Sequence, residues 1–223
     1  MTTVALAWSG GKDSLMALRA LESTPSIEVS ALVTTVTESS RRISAHGVRE
    51  ALLDAQARAL DIKLAKCPLP DAPDNESYRE RFAATLRPLI DSGVTHVAFG
   101  DLYLADVRAF REAQVRALGI EARFPLWQQP TAELARGFIA DGYRAVLCCV
   151  DASQLAPSFL GRDFDTALLD ELPAGVDPCG ENGEFHTFVY AGPRFARAVD
   201  FERARTHVSD GRFHFLDLEQ QGR

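Results

Sequence analysis

Two stretches of the chain concentrate residue types that do chemistry. The first is Ser9-Gly10-Gly11-Lys12-Asp13-Ser14. Its glycines let backbone N–H groups approach a ligand closely, its serines offer hydroxyls, and its lysine offers charge. Leu15, Leu18 and Leu21 then recur at helical spacing, so a helix N-terminus stands behind the glycines. That combination suits a polyphosphate. It is not a Walker A loop, because the paired glycines spanning four residues before Lys-Ser/Thr are missing. Asp13 falls in the first helical turn, where a carboxylate is favoured by the dipole and can help hold Mg²⁺ beside phosphates. Lys12 and Asp13 are both expected on an exposed loop.

The second stretch is Asp177-Pro178-Cys179-Gly180-Glu181-Asn182-Gly183-Glu184-Phe185-His186-Thr187. Carboxylates, an amide, an imidazole and a hydroxyl sit among glycines, with Phe185, Phe188, Val189 and Tyr190 anchoring one flank. A core has no use for such polar density, and loops of this content usually bind something. Glu181, Glu184 and His186 are the proton acceptors this segment offers, with Glu184 and His186 the leading candidates. Cys179 follows a proline on the same loop, a setting that does not by itself lower a thiol pKa.

The elements that must position these stretches alternate. Val4 to Trp8 reads as a strand ending at the glycine loop, and Ile27 to Val36 is rich in β-branched residues. His46 to Leu60 carries an apolar helical face, and Leu64 to Leu69 reads as a strand. Glu76 to Ser92 reads as a helix stopped by Gly93, and Val94 to Gly100 as another strand. Asp106 to Leu118 and Thr131 to Asp141 read as further helices, and Arg144 to Val150 as a fully buried strand. Repeated β-α units imply a Rossmann-like parallel sheet with helices on both faces and a ligand crevice at the carboxyl ends of its strands. The Ser9 loop and Gly100-Asp101 both fall at such ends. Asp101 therefore suits either the metal or nucleotide, or a cap for the next helix; His46 suits either substrate contact or a cap for its own.

Beyond Asp151 the texture changes to prolines and crowded glycines. The chain is accordingly divided into residues 1–150, carrying the phosphate loop, and a smaller C-terminal substrate-binding region, 151–223, with the cleft between them as the expected site. The chain has 223 residues, of which 46% are hydrophobic and 25% charged, an ordinary globular composition. No apolar run approaches the roughly 20 residues of a spanning helix. The N-terminus lacks the basic flank of a secretory signal, so a cytoplasmic location is expected. A net charge of −7 and scattered arginines disfavour a nucleic-acid partner. The four cysteines form no C-x-x-C, and Cys148-Cys149 read as small core hydrophobes. A homodimer is the state expected of a crevice enzyme this size, though the sequence carries no interface signature.

The first stretch resembles the SGGxDS loop of the N-type ATP pyrophosphatases, of the adenine nucleotide alpha-hydrolase-like superfamily. Both stretches together, with His46-Gly47-Val48-Arg49 and Gly100-Asp101-Leu102-Tyr103, resemble the diphthine-ammonia ligase family, whose members pair SGGKDS with a motif close to GEGGEFET. Asn182 stands here for a glycine and His186 for an acid. The resemblance implies an ATP- and ammonia-dependent conversion of a carboxylate to an amide, through an acyl-adenylate, with AMP and pyrophosphate released. Ser9, Gly10, Gly11, Lys12, Asp13 and Ser14 would bind ATP, with Asp13 on Mg²⁺. His46, Asp101, Gly180, Glu181, Asn182, Gly183, Glu184 and Thr187 would line the substrate side. Lys12, Asp13, Glu184 and His186 would carry catalysis. Two other classes remain open at the level of sequence: a tRNA-modifying pyrophosphate-loop enzyme, and a nucleotide sensor without catalysis.

Overall fold

The computed structural model describes residues 1–43 and 46–221. Residues 1–9, 13–41 and 62–128 form one compact unit; residues 10–12, 42–61 and those from 129 onward form the second.

The first unit is a parallel α/β sheet. Its strands are β1 (Thr2–Ala7), β2 (Ile27–Thr37), β4 (Lys63–Leu69), β5 (His96–Ala98) and β6 (Glu121–Arg123). β4 pairs with β2, β2 with β1, β1 with β5 and β5 with β6, every pair parallel. Val4, Ala5 and Leu6 are all 0% exposed, so successive side chains on opposite faces of β1 are covered alike. On one face Ala5, Ala31, Val33, Cys67, Leu69, Val97 and Phe99 pack with Phe82, Leu86 and Leu89 of α3 (Asn75–Asp91) and Val115 of α4 (Ala105–Arg116). Asp74 starts α3 by accepting a 2.7 Å hydrogen bond from the Ser77 N–H. The sheet grows outward from β1 to β2 and β4, then returns to β5 on the other side. The strand order therefore reverses between β1 and β5, which is where α/β sheets bind ligands.

The second unit carries an antiparallel sheet in the order β8-β7-β10-β9. Its strands are β7 (Arg144–Asp151), β8 (Phe185–Ala191), β9 (Phe201–Ser209) and β10 (Phe213–Gln220). β7 is buried along nearly its whole length, as its apolar run implies, but it pairs antiparallel with β8 and β10 instead of extending the parallel sheet. β9 and β10 are joined through Asp210 and Gly211, both at positive φ (54° and 63°), the conformation that suits a tight hairpin. α2 (Glu50–Leu60) packs on β10, and α5 (Thr131–Ala140) and α6 (Thr166–Glu171) complete the unit. α2 begins at Glu50, so His46 lies in the preceding turn instead of inside the helix. Arg42–Ile43 forms a two-residue strand, β3, and Arg42 bridges antiparallel to Arg49. Among the described residues no helix is long and apolar enough to cross a membrane.

Candidate active site

In the first unit, β1 delivers Ser9 and α1 (Lys12–Glu22) presents Asp13 in its first turn, where the dipole favours a carboxylate. Ser9 Oγ lies 3.4 Å from Ser14 Oγ. β5 delivers Gly100 against the same helix start. A Cβ on Gly100 would stand 3.0 Å from the Asp13 carbonyl carbon and oxygen and 3.2 Å from the Ser14 nitrogen, so only glycine lets the two backbones meet here. A helix N-terminus flanked by hydroxyls is the setting that suits a phosphate group. Asp101 follows directly; burial pushes its carboxyl up, with Arg111 opposing. It does not cap α4, whose N-cap is Leu104.

In the second unit, Gly10 has φ +79°, and a Cβ there would meet Gln56 Oε1 at 2.8 Å. Gln56, 0% exposed on α2, donates from Nε2 to the Gly10 carbonyl at 2.9 Å and to the Val189 carbonyl at 2.6 Å. The Val189 N–H in turn donates to the Gly10 carbonyl at 2.9 Å. A buried amide thus fixes the glycine turn on β8. Nothing local in the sequence marks Gln56; only its burial on the apolar side of α2 does.

Lys12 is 1% exposed, which overturns the expectation of an exposed loop lysine. Its Nζ donates to the Cys179 carbonyl and lies 5.6 Å and 5.1 Å from the ring centroids of Phe164 and Phe185. Its backbone N–H donates to Thr187 Oγ1 at 3.1 Å. The side chain lies beside the Phe164 and Phe185 faces, which with the Cys179 carbonyl help to satisfy its charge.

The segment from Asp177 to Thr187 is held from within. Asp177 Oδ1 accepts from the Cys179 and Glu181 N–H groups at 2.8 and 3.3 Å, and its Oδ2 accepts from Thr131 Oγ1 at 2.7 Å. Glu184, 2% exposed, accepts from the Asp177 N–H at 2.9 Å, the Asn182 N–H at 3.0 Å and Asn182 Nδ2 at 2.9 Å. Those bonds engage both carboxylate oxygens, so Glu184 holds the shape of the segment. Gly180 has φ +68°, and a Cβ would stand 2.7 Å from the Phe185 carbonyl oxygen. Cys179 is buried, its Sγ donating to the Thr131 carbonyl at 3.3 Å. Glu181 and Asn182 stay partly or fully exposed, as does Gly183.

What the segment does present is an imidazole pair. The rings of His46 and His186 lie with centroids 4.5 Å apart and planes 31° from parallel. His46 Nδ1 is 3.2 Å from the Thr187 carbonyl. Both residues are half-buried. Burial, then the charge of Lys12, pushes His186 down to about 4. For His46, burial leads, with His186 and Lys12 reinforcing it and the Thr187 carbonyl opposing, and the ring is held well below its usual value. The loop carrying His46 is anchored by Arg49 of the same stretch together with Arg42 and Asp217, which the sequence did not single out. Asp217, 1% exposed, takes Arg49 Nε and Nη2 at 3.0 and 2.6 Å and Arg42 Nη1 at 2.9 Å; Arg42 also donates to the Gly47 carbonyl at 2.7 Å. Burial alone would raise the Asp217 carboxyl, but these two guanidinium groups hold it far below the carboxylate range.

Residues 1–122 match the model of the diphthamide synthase N-terminal domain, and residues 130–220 match that of the C-terminal domain. The chain belongs to the diphthamide synthase family. Curated relatives include the diphthine–ammonia ligase of Homo sapiens, 32% identical over 133 residues covering 53% of this chain and 50% of that protein. The Rattus norvegicus diphthine–ammonia ligase is 32% identical over 115 residues, 48% of this chain and 43% of that one. The Schizosaccharomyces pombe enzyme of the same name is 30% identical over 88 residues, 38% of this chain and 14% of its own length. The chain thus matches half or less of the length of these relatives. In diphthamide synthase terms, the glycine loop and the β1–β5 switch point belong to the N-terminal domain, and the imidazole of His186 to the C-terminal one.

Proposed function

We propose that the chain is an ATP-dependent ligase that adenylates a substrate carboxylate and amidates it with ammonia, releasing AMP and pyrophosphate. The observation that carries this reading is the placement of the glycine loop at the β1–β5 switch point, where Gly100 packs against the Asp13–Ser14 peptide at the start of α1. Family membership and the shared name of the curated relatives support it.

The roles divide by chemistry. Ser9, Gly10, Gly11, Asp13 and Ser14 bind ATP, with backbone N–H groups and the helix dipole stabilising charge on the departing pyrophosphate. Asp13 would hold Mg²⁺, which would supply further charge neutralisation there. Asp101 follows Gly100 at the same strand end and contacts nucleotide or substrate. The Gly180–Thr187 segment, with its shape set by Glu184, forms the substrate side together with His46. His186 accepts the proton that nitrogen sheds as the amide forms, a task a neutral imidazole performs and an imidazolium cannot. The substrate is a carboxylate, and diphthine, the substrate in the relatives' name, is the first to try.

The test incubates the protein with Mg-ATP, ammonium chloride and a diphthine-bearing substrate and follows AMP and amide. AMP formed in proportion to amide, and lost when ammonium is omitted, is the expected result. Release of ADP, or AMP production indifferent to ammonium, would contradict the reading.

A further inference from the structure

Lys12 supplies the positive charge of the glycine loop, yet its surroundings are those of a structural cation. Phe185, itself 1% exposed, has its ring centroid 5.1 Å from Nζ, and Lys12 is 1% exposed, so the ammonium is covered in the folded chain. Four contacts of Lys12 lead to the second motif or its packing partner: the Cys179 carbonyl, the Phe185 ring, Thr187 Oγ1 and the Phe164 ring. The same motif carries His186, stacked on His46. With Nδ1 of His46 facing the Thr187 carbonyl, that nitrogen carries the proton and Nε2 is left as the acceptor.

We propose that Lys12 is a positioning residue and not a phosphate ligand: its buried ammonium fixes the Cys179–Thr187 segment and sets the His46–His186 pair as the proton acceptor of the site. The identity of the proton donor rests on the ligase reading; the placement of Lys12 does not. As the nitrogen lone pair forms the C–N bond, the bond from the carboxyl carbon to the AMP oxygen breaks and AMP leaves with that electron pair. The nitrogen loses one proton, and one imidazole takes it.

The groups around the pair are consistent with neutral rings. From β7, the Cys148 thiol donates to the His186 carbonyl at 3.4 Å and, pushed up chiefly by burial, stays uncharged; Cys149, raised to about 12, does too. From the motif itself, Glu184 is spent on loop N–H groups. From the turn before α2, Arg42 and Arg49 are engaged by Asp217, and Arg49 also by Glu219.

Two measurements decide it, and neither uses the ligase reaction. First, the imidazole C–H signals of His46 and His186, assigned with His46→Gln and His186→Gln, are titrated by NMR in the wild type and in Lys12→Met. The midpoint of His186 should rise by about one unit when the charge is removed; an unmoved midpoint overturns the proposal. Second, because Lys12→Met could fail to fold, the wild-type chain is acetylated with an amine-reactive ester with and without pyrophosphate and mapped by mass spectrometry. Exposed Lys63 should label while Lys12 stays unlabelled in both conditions. Labelling of Lys12 in the free protein, whether or not pyrophosphate suppresses it, overturns the proposal.

Discussion

Asp13 and Glu184 are both acidic residues inside glycine-rich motifs, yet the structure asks different things of them. Asp13 stands at a helix start beside the Gly100 backbone, so Asp13→Ala should cut AMP formation at least ~100-fold, the scale of losing one charge-stabilising group. Its cost to folding should stay near the ~0.3–1 kcal/mol of a lost dipole partner, as read by thermal melts. Glu184 is different. Its oxygens accept two backbone N–H groups and the Asn182 amide, so Glu184→Gln places an NH₂ where an acceptor is needed. That variant should lose about 1–3 kcal/mol of stability along with activity. A Glu184→Gln protein as stable as wild type but inactive would return Glu184 to a direct chemical role. The sequence could not distinguish these cases, because what separates them is which N–H groups each carboxylate meets.

At the scale of elements, the first unit was legible because its signals are local. The apolar run of β1, the leucine spacing of α1 and the glycine stop after α3 each announce themselves within a few residues. In the second unit α2, α5 and β7 were legible as elements, but β8, β9 and β10 were not. β9 is exposed along almost all its length and shows no apolar alternation, and β8 begins inside a motif that reads as a binding loop. β7 looks like a parallel strand because burial on both faces gives a continuous apolar run in either setting. The glycines of the motif were legible as turns, and the structure gives one of them a specific cost. Gly180→Ala must adopt φ near +68° and drive a Cβ to within 2.7 Å of the Phe185 carbonyl oxygen. It should destabilise the protein by more than the ~1–2 kcal/mol of a left-handed alanine alone. A chemical denaturation midpoint unchanged from wild type would show that the Gly180 turn is not formed as described.

For the whole molecule, the histidine pair ties stability to pH. Both rings titrate in the folded state below the ~6.5 of an exposed histidine, His186 near 4. Between those values the unfolded chain binds more protons than the folded one. Stability fully present above pH ~6.5 is therefore lost progressively as pH falls toward 4. Asp151, held down first by its hydrogen bonds from Arg212, and Asp217, held down by Arg49 and Arg42 against burial, keep their contributions until pH falls below the ~3.9 of a free aspartate. Acid unfolding should accordingly show two stages. His186→Gln should flatten the upper one, and denaturation curves measured from pH 7.5 to 3 would reveal an unchanged slope if the pair were not buried as described.

The most direct test of the central claim is the melting temperature of wild type and Asp13→Ala against increasing Mg-ATP, because a ligand that binds only the native state raises stability by mass action. A rise of several degrees in the wild type that is absent in Asp13→Ala is the result this account predicts. No rise in either protein, or an equal rise in both, would mean that the Ser9–Ser14 loop is not where nucleotide binds.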